Sequence, residues 1–269
     1  MKKYFLFIAV IIVLISCKPS ADKSIASTVL YDSAYVPAVF ADANRVEKIK
    51  AAFTVIDSLY KKYATDNHFP AISFGIVVDG QLLYKNSYGY TDVAKKTPAT
   101  SASLFRIASM SKSFTCMAML KLRDEGKLNL DDPAYLYIPE LKNLKYPTAD
   151  APVITIRHLM THGAGFPEDN PWGDRQLADT DKDLMEFIGK QISFSIPPGI
   201  AYEYSNLGFA LQGKIISKVS GMRYQDYIKK NILDPLGMKT TTYEFGDVTP
   251  DKLAHGYRWL NEQWNEEIL

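Results

Sequence analysis

The feature that most constrains this chain is a change of hydrophobic period near Thr100. Before it, a helix is followed by a hairpin. Val46, Ile49, Phe53, Ile56, Tyr60 and Tyr63 recur at spacings of 3, 4, 3, 4 and 3, which predicts a helix over 44–63 with one apolar face in need of a partner. Pro70 resets the chain. Residues 72–78 are rich in β-branched side chains, Asp79-Gly80 is a two-residue hairpin turn, and 81–90 is the return strand. After Thr100 the period turns helical for about 140 residues. Helices are expected over 109–125, ended by Gly126, and over 154–162, closed by Gly163 and Gly165. Three more follow over 181–191, over 207–220 ended by Gly221, and over 224–233 before Pro235 and Gly237. Residues 253–269 hold two Trp and Tyr257 around Asn261-Glu262 and read as the start of a second hairpin. The class is α+β.

Composition narrows the function. The 31 basic and 30 acidic side chains nearly cancel, which excludes nucleic-acid binding by a basic face and a solvating acidic tail. Two cysteines cannot build a disulfide scaffold or a four-cysteine zinc site. No apolar run is long enough to span a bilayer. Residues 4–16 are apolar, follow Met1-Lys2-Lys3, and suit the core of a signal peptide. They end at Leu14-Ile15-Ser16-Cys17, which resembles a bacterial lipobox. That resemblance implies removal of 1–16, lipidation of Cys17, a tether over 17–42 and a membrane-anchored protein of the cell envelope. Cys116 then stands alone in an apolar helix and reads as a small buried hydrophobe.

Two short patterns carry chemistry. Ser-x-x-Lys occurs at Ser20/Lys23, Ser58/Lys61 and Ser109/Lys112. The first lies in the tether and the second on a solvated helix face. Only Ser109 opens an apolar helix, where backbone N–H groups and the positive dipole end can stabilise an oxyanion. Lys112, at i+3, stands on the same face, partly desolvated and able to take a proton. The plainer reading is an N-cap serine and a snorkelling lysine. Tyr-x-Asn occurs at Tyr84/Asn86, expected on the sheet surface, and at Tyr204/Asn206, which follows Pro197-Pro198-Gly199 and precedes a buried helix. A tyrosine beside a lysine can shuttle a proton, and an asparagine amide can hold a substrate carbonyl and the lysine.

Together, Phe105-Arg106-Ile107-Ala108-Ser109-Met110-Ser111-Lys112 and Tyr204-Ser205-Asn206 resemble the serine β-lactamase and penicillin-binding superfamily, on its class C and esterase side. Ile156-Arg157-His158-Leu159-Met160-Thr161-His162, Pro198-Gly199, Pro235-Leu236-Gly237-Met238 and the Asp79-Gly80 hairpin extend the resemblance over about 45–258. It implies a β-lactamase/transpeptidase-like fold over 43–258, with an antiparallel sheet flanked by helices (43–99) and an all-helical subdomain (100–245). It also implies Ser109 as nucleophile, Lys112 and Tyr204 sharing the proton work, Asn206 positioning lysine and substrate, and no cofactor. The substrate would be a β-lactam, a D-amino-acid peptide related to peptidoglycan, or an ester, and the protein a monomer.

The family's third motif, Lys-Thr-Gly or a His-x-Gly-like variant, does not follow Tyr204, and Lys239-Thr240-Thr241 and His255-Gly256-Tyr257 are poor substitutes. The late strands and C-terminal helix are expected to be missing, with 246–269 only the start of a return to the sheet. The chain is therefore expected to be a C-terminally truncated member or a degenerate relative, and the N-terminal helix face to lack its partner. The alternative function is a non-catalytic or acylation-only membrane-anchored sensor. A zinc site at His158 and His162 is disfavoured, because Leu159 replaces the glutamate of His-Glu-x-x-His. Gly-x-Ser-x-Gly is absent, which disfavours an α/β-hydrolase.

Overall fold

The computed structural model describes residues 40–169 and 180–267. The signal segment, Cys17 and the tether up to residue 39 lie outside them. The chain divides into a unit ending at Arg45 and a second running from Val46 to Leu269. In the first, Asp42 makes a turn. Its carboxylate accepts the Asn44 N–H at 2.9 Å and its carbonyl accepts the Arg45 N–H at 3.1 Å.

The expected first helix is two, α1 (Arg45–Ala51) and α2 (Phe53–Asp66). They part at Ala52, whose N–H reaches back only three residues, to the Ile49 carbonyl, and so tightens the turn. Strands β1 (Ala71–Val78) and β2 (Gln81–Asp92) pair antiparallel, and β2 also pairs with the short β3 (Thr97–Pro98). Asp79 (φ 51°) and Gly80 (φ 74°) both adopt the left-handed backbone that a twisted two-residue hairpin turn requires.

This hairpin corrects two expectations. The α2 face does have a partner: Phe53 stacks on Tyr84 at 4.4 Å and Tyr60 on Phe74 at 4.2 Å. The cover is partial: Tyr63 of the same face stays 57% exposed, and Val55 and Leu59, farther round the helix, are 59% and 62% exposed. Tyr84 and Asn86 are also not on the outer surface. Register pairs Ile76, Phe74 and Ile72 with Tyr84, Asn86 and Tyr88, so the period of two puts all six on the face that α2 covers. There Tyr84 Oη donates to Asp57 Oδ2 at 2.5 Å and Asn86 Nδ2 to Asp57 Oδ1 at 3.1 Å. These bonds, the Tyr84 one above all, hold the Asp57 carboxyl below its ordinary range. Burial and the Asp57 carboxylate push the Tyr88 hydroxyl up to about 12.

The helical block contains α3 (Ser111–Asp124), α4 (Ile156–Met160), α5 (Asp181–Gly189), α6 (Asn206–Ser220) and α7 (Tyr224–Ile228). The predicted 224–233 helix changes character halfway, with a π turn over Lys229–Leu233. Ala118, Met119 and Leu122 of α3 and Leu211, Ile215 and Ile216 of α6 share one core and are fully shielded from solvent. Burial of each of the larger side chains is worth about 1.5–3 kcal/mol. Gly221 (φ 69°) ends α6 in the left-handed conformation that glycine adopts without strain. Gly165 (φ 78°) is required for a second reason: a Cβ there would stand 2.2 Å from the Ile196 carbonyl oxygen.

The tail forms the expected second hairpin, β4 (Gly256–Leu260) and β5 (Gln263–Glu267), turning at Asn261 and Glu262 with φ of 52° and 60°. It docks near the start of β1: Trp259 stacks on the His68 ring at 4.2 Å and Trp264 Nε1 donates to the His68 carbonyl at 2.7 Å.

Candidate active site

Ser109 lies in a single 3-10 turn, Ala108–Met110, that feeds directly into α3. The serine, expected as the first residue of the helix, therefore lies two residues ahead of the observed start of α3, still at the positive end of its dipole. Ala108 before it has φ 43°, a left-handed backbone at a residue with a Cβ. Strain of this kind gathers at functional sites. The Ser109 side chain is exposed, in an open cleft of about 1930 Å³ that Ile107, Lys112, Asn206, Tyr243 and Phe245 help to line.

Tyr204 and Asn206 come from the other side of the helix pair. Asn206 is the first residue of α6, and Ser205 caps that helix by accepting the Gly208 N–H at 3.1 Å. Packing of α3 on α6 brings the two motifs together. Lys112 Nζ donates to Ser109 Oγ at 2.9 Å, to Tyr204 Oη at 2.7 Å and to Asn206 Oδ1 at 2.7 Å. Three donors thus meet three oxygens, which is the full capacity of the ammonium group. Ser109 Oγ and Tyr204 Oη are 2.6 Å apart. The amine also sits over the Tyr204 and Phe209 rings, at 4.9 and 5.4 Å from their centroids. This arrangement can remove a proton from Ser109 and return it to a leaving group, because hydroxyl, phenol and amine are in mutual hydrogen-bond reach.

The structure thus joins all four residues that the two patterns single out, while the lipidation candidate Cys17 lies outside the described residues. Of the rejected copies, Ser20/Lys23 lies outside the described residues, Ser58 Oγ bonds to the Thr54 carbonyl, and Tyr84 and Asn86 hold Asp57. Cys116 is half-buried, and burial pushes its thiol up, away from the reactive thiolate. His158 and His162 each commit Nδ1 to a different backbone N–H. His158 Nδ1 accepts the Thr155 N–H at 3.3 Å in a capping box, and His162 Nδ1 accepts the Ser205 N–H at 3.0 Å.

Sequence reasoning missed Asp169. Its carboxylate accepts the N–H groups of Asn206 at 2.6 Å and Leu207 at 2.8 Å, and the Ser205 hydroxyl at 3.0 Å. It thereby satisfies the orphan donors at the start of α6 and fixes Asn206 from behind. No spacing marks it, since it reaches α6 only through the closing of a long connection.

A family profile described as Beta-lactamase matches residues 56–268. The chain is similar to Beta-lactamase-like protein 2 of Dictyostelium discoideum, being 35% identical over 216 residues that make up 77% of this chain and 39% of that protein. It is similar in structure to an octameric penicillin-binding protein homologue from Pyrococcus abyssi, with a TM-score of 0.68 at 32% identity over 80% of this chain and 50% of the other. A class C beta lactamase superposes with a TM-score of 0.67 at 27% identity, over 86% and 60% of the two chains. The chain spans between 38% and 40% of the length of the curated relatives it matches.

Proposed function

The chain belongs to the beta-lactamase family, and on that premise we propose that it is a serine hydrolase that cleaves an amide or ester through an acyl-serine intermediate. The observation that carries this reading is one amine, Lys112 Nζ, bonded to Ser109, Tyr204 and Asn206 while Ser109 and Tyr204 bond to each other. Ser109 Oγ attacks the substrate carbonyl carbon, and its proton passes to the Tyr204–Lys112 pair. The C–N or C–O bond then breaks as that proton is delivered to the leaving nitrogen or oxygen. The Ser109 N–H and the α3 dipole favour the oxyanion. Asn206 holds Lys112 through Oδ1, which leaves its amide NH2 to donate to the substrate carbonyl. Water, deprotonated by the same pair, releases the acid and restores Ser109. The substrate is a β-lactam, a D-amino-acid peptide of the peptidoglycan type, or a carboxylic ester.

A fluorescent penicillin and a chromogenic ester test this directly. Labelling or turnover by the purified protein is expected, and Ser109→Ala is expected to lower it by at least about 10³-fold. Neither reagent reacting, or Ser109→Ala reacting normally, contradicts the reading. Labelling of Ser109 without release identifies an acylation-only relative.

The same proposal places the protein at the cell envelope through a lipid on Cys17. No helix among the described residues is long and apolar enough to cross a membrane. Cys17→Ser is expected to move the expressed protein out of the detergent phase, and unchanged recovery there contradicts the anchor.

A further inference from the structure

His162 stands outside the four residues given a chemical role, yet it is attached to Tyr204 from three directions. Its backbone carbonyl accepts the Glu203 N–H at 2.9 Å. Its ring Nδ1 accepts the Ser205 N–H at 3.0 Å. The same ring stacks on Tyr204, with centroids 4.7 Å apart and planes at 27°. The peptide N–H groups on either side of Tyr204 and the phenol ring between them therefore all rest on one residue. Tyr202 and Phe209 enclose the ring, with centroids 5.2 and 5.0 Å away.

The backbone at His162 is also strained. Its φ is 56°, a left-handed conformation that glycine adopts without strain. Gly163 is the very next residue, so a glycine one place earlier would have relieved the turn at the loss of the ring.

We propose that His162 is a positioning residue that clamps Tyr204 against Lys112 and Ser109, and that it does so only while its ring is neutral. This rests on the acyl-serine reading of the same site. Acceptance of the Ser205 N–H requires a lone pair on Nδ1, and so the tautomer protonated at Nε2. A proton on Nδ1 turns the acceptor into a donor facing another donor, and it adds a second cation beside Lys112. The titratable groups that face the ring are Lys112 on α3, Tyr202 and Tyr204 on the segment leading to α6, and Asp169 after the glycine turn. Burial first, and then the Lys112 charge, lower the His162 pKa below 6.5, while Asp169 opposes them. The clamp is thus closed at neutral pH and opens on acidification.

His162→Asn and His162→Ala test this. Asparagine tolerates the left-handed backbone, keeps an oxygen acceptor near the Nδ1 position and does not titrate. His162→Ala is expected to slow Ser109 acylation at saturating penicillin or ester by about 100-fold, the scale of a misplacement near 1 Å, with half-saturation changed by less than about threefold. His162→Asn is expected to stay within about tenfold of wild type at pH 7, and its rate relative to wild type to rise as pH falls from 7 to 5. NMR supplies a readout independent of acylation: the Ser205 amide resonance should titrate together with the His162 ring in the wild type and stay fixed over that range in His162→Asn. Wild-type acylation by His162→Ala, a pH-independent ratio for His162→Asn, or a Ser205 amide indifferent to His162 titration overturns the clamp. If the wild type is not acylated at all, the functional reading fails, and the Ser205 amide alone decides the clamp.

Discussion

The helical block and the sheet portion are held together by different means. In the block, α3 and α6 share an apolar core with Ile156, Leu159 and Ile228, all fully shielded from solvent. In the sheet portion the contacts between α2 and the β1–β2 hairpin are ring stacking and the Asp57–Tyr84–Asn86 bonds, and Val55, Leu59, Val77 and Leu82 remain more than half exposed. Ser109, Lys112, Tyr204 and Asn206 all stand at the ends of the two best-packed helices. Site geometry of a few tenths of an ångström is therefore entrusted to the half with the densest core, where side chains have little room to move.

Truncation inside the block should break this contrast most. Ile215→Ala empties part of the shared core and is expected to cost about 2–5 kcal/mol in urea unfolding. A loss below about 1 kcal/mol would mean that the block is looser than its burial implies. Removal of the Asp169 carboxylate is the next largest effect. Asp169→Ala leaves the Asn206 and Leu207 N–H groups without this acceptor and is expected to cost about 0.5–2 kcal/mol, with a fall in Ser109 acylation because Asn206 is no longer fixed. Stability lost with acylation unchanged would show that the cap does not reach the site.

Acid sharpens the comparison, because the two halves depend on groups that titrate in different windows. His158 and His162 are both lowered from 6.5, chiefly by burial. Their contribution is present above 6.5 and is lost as pH falls from there through their folded values, since the unfolded chain binds the protons more readily. The Asp57 carboxyl is lowered from 3.8, so its contribution is lost only as pH falls below that value. Hydrogen exchange followed downward from pH 7 should therefore loosen 195–210 before the strands over 71–92. The reverse order contradicts this assignment. The smallest effect is on the exposed face: Val55→Lys is expected to change stability by no more than about 0.5 kcal/mol, measured by thermal unfolding. A larger loss would mean that Val55 is covered in solution.

Much of the fold was legible because it rests on local signals. The period of Val46 to Tyr63, the Asp79-Gly80 turn and the glycine stops at 126 and 221 act within a few residues of themselves. The break at Ala52 and the π turn at Lys229–Leu233 were not, because both keep the apolar period while changing the backbone. The four site residues could be read only as a pair of motifs, since Ser-x-x-Lys and Tyr-x-Asn each recur where no chemistry follows. Asp169 and the clamp by His162 depend on the 162–169 segment lying against 203–207, which no periodicity encodes. Tyr84 and Asn86 were misjudged for a related reason. A strand pattern fixes which residues share a face but not which face α2 will cover.

The central claim is that Ser109 forms a covalent acyl bond inside the bonded group of Lys112, Tyr204 and Asn206. Peptide mass spectrometry after a brief incubation with a penicillin or an activated ester measures it most directly. The expected result is one acyl adduct on the peptide containing Ser109, absent in Ser109→Ala and slowed by about 10²–10⁴-fold in Tyr204→Phe. No adduct with either reagent, or an adduct that survives Ser109→Ala, would contradict it.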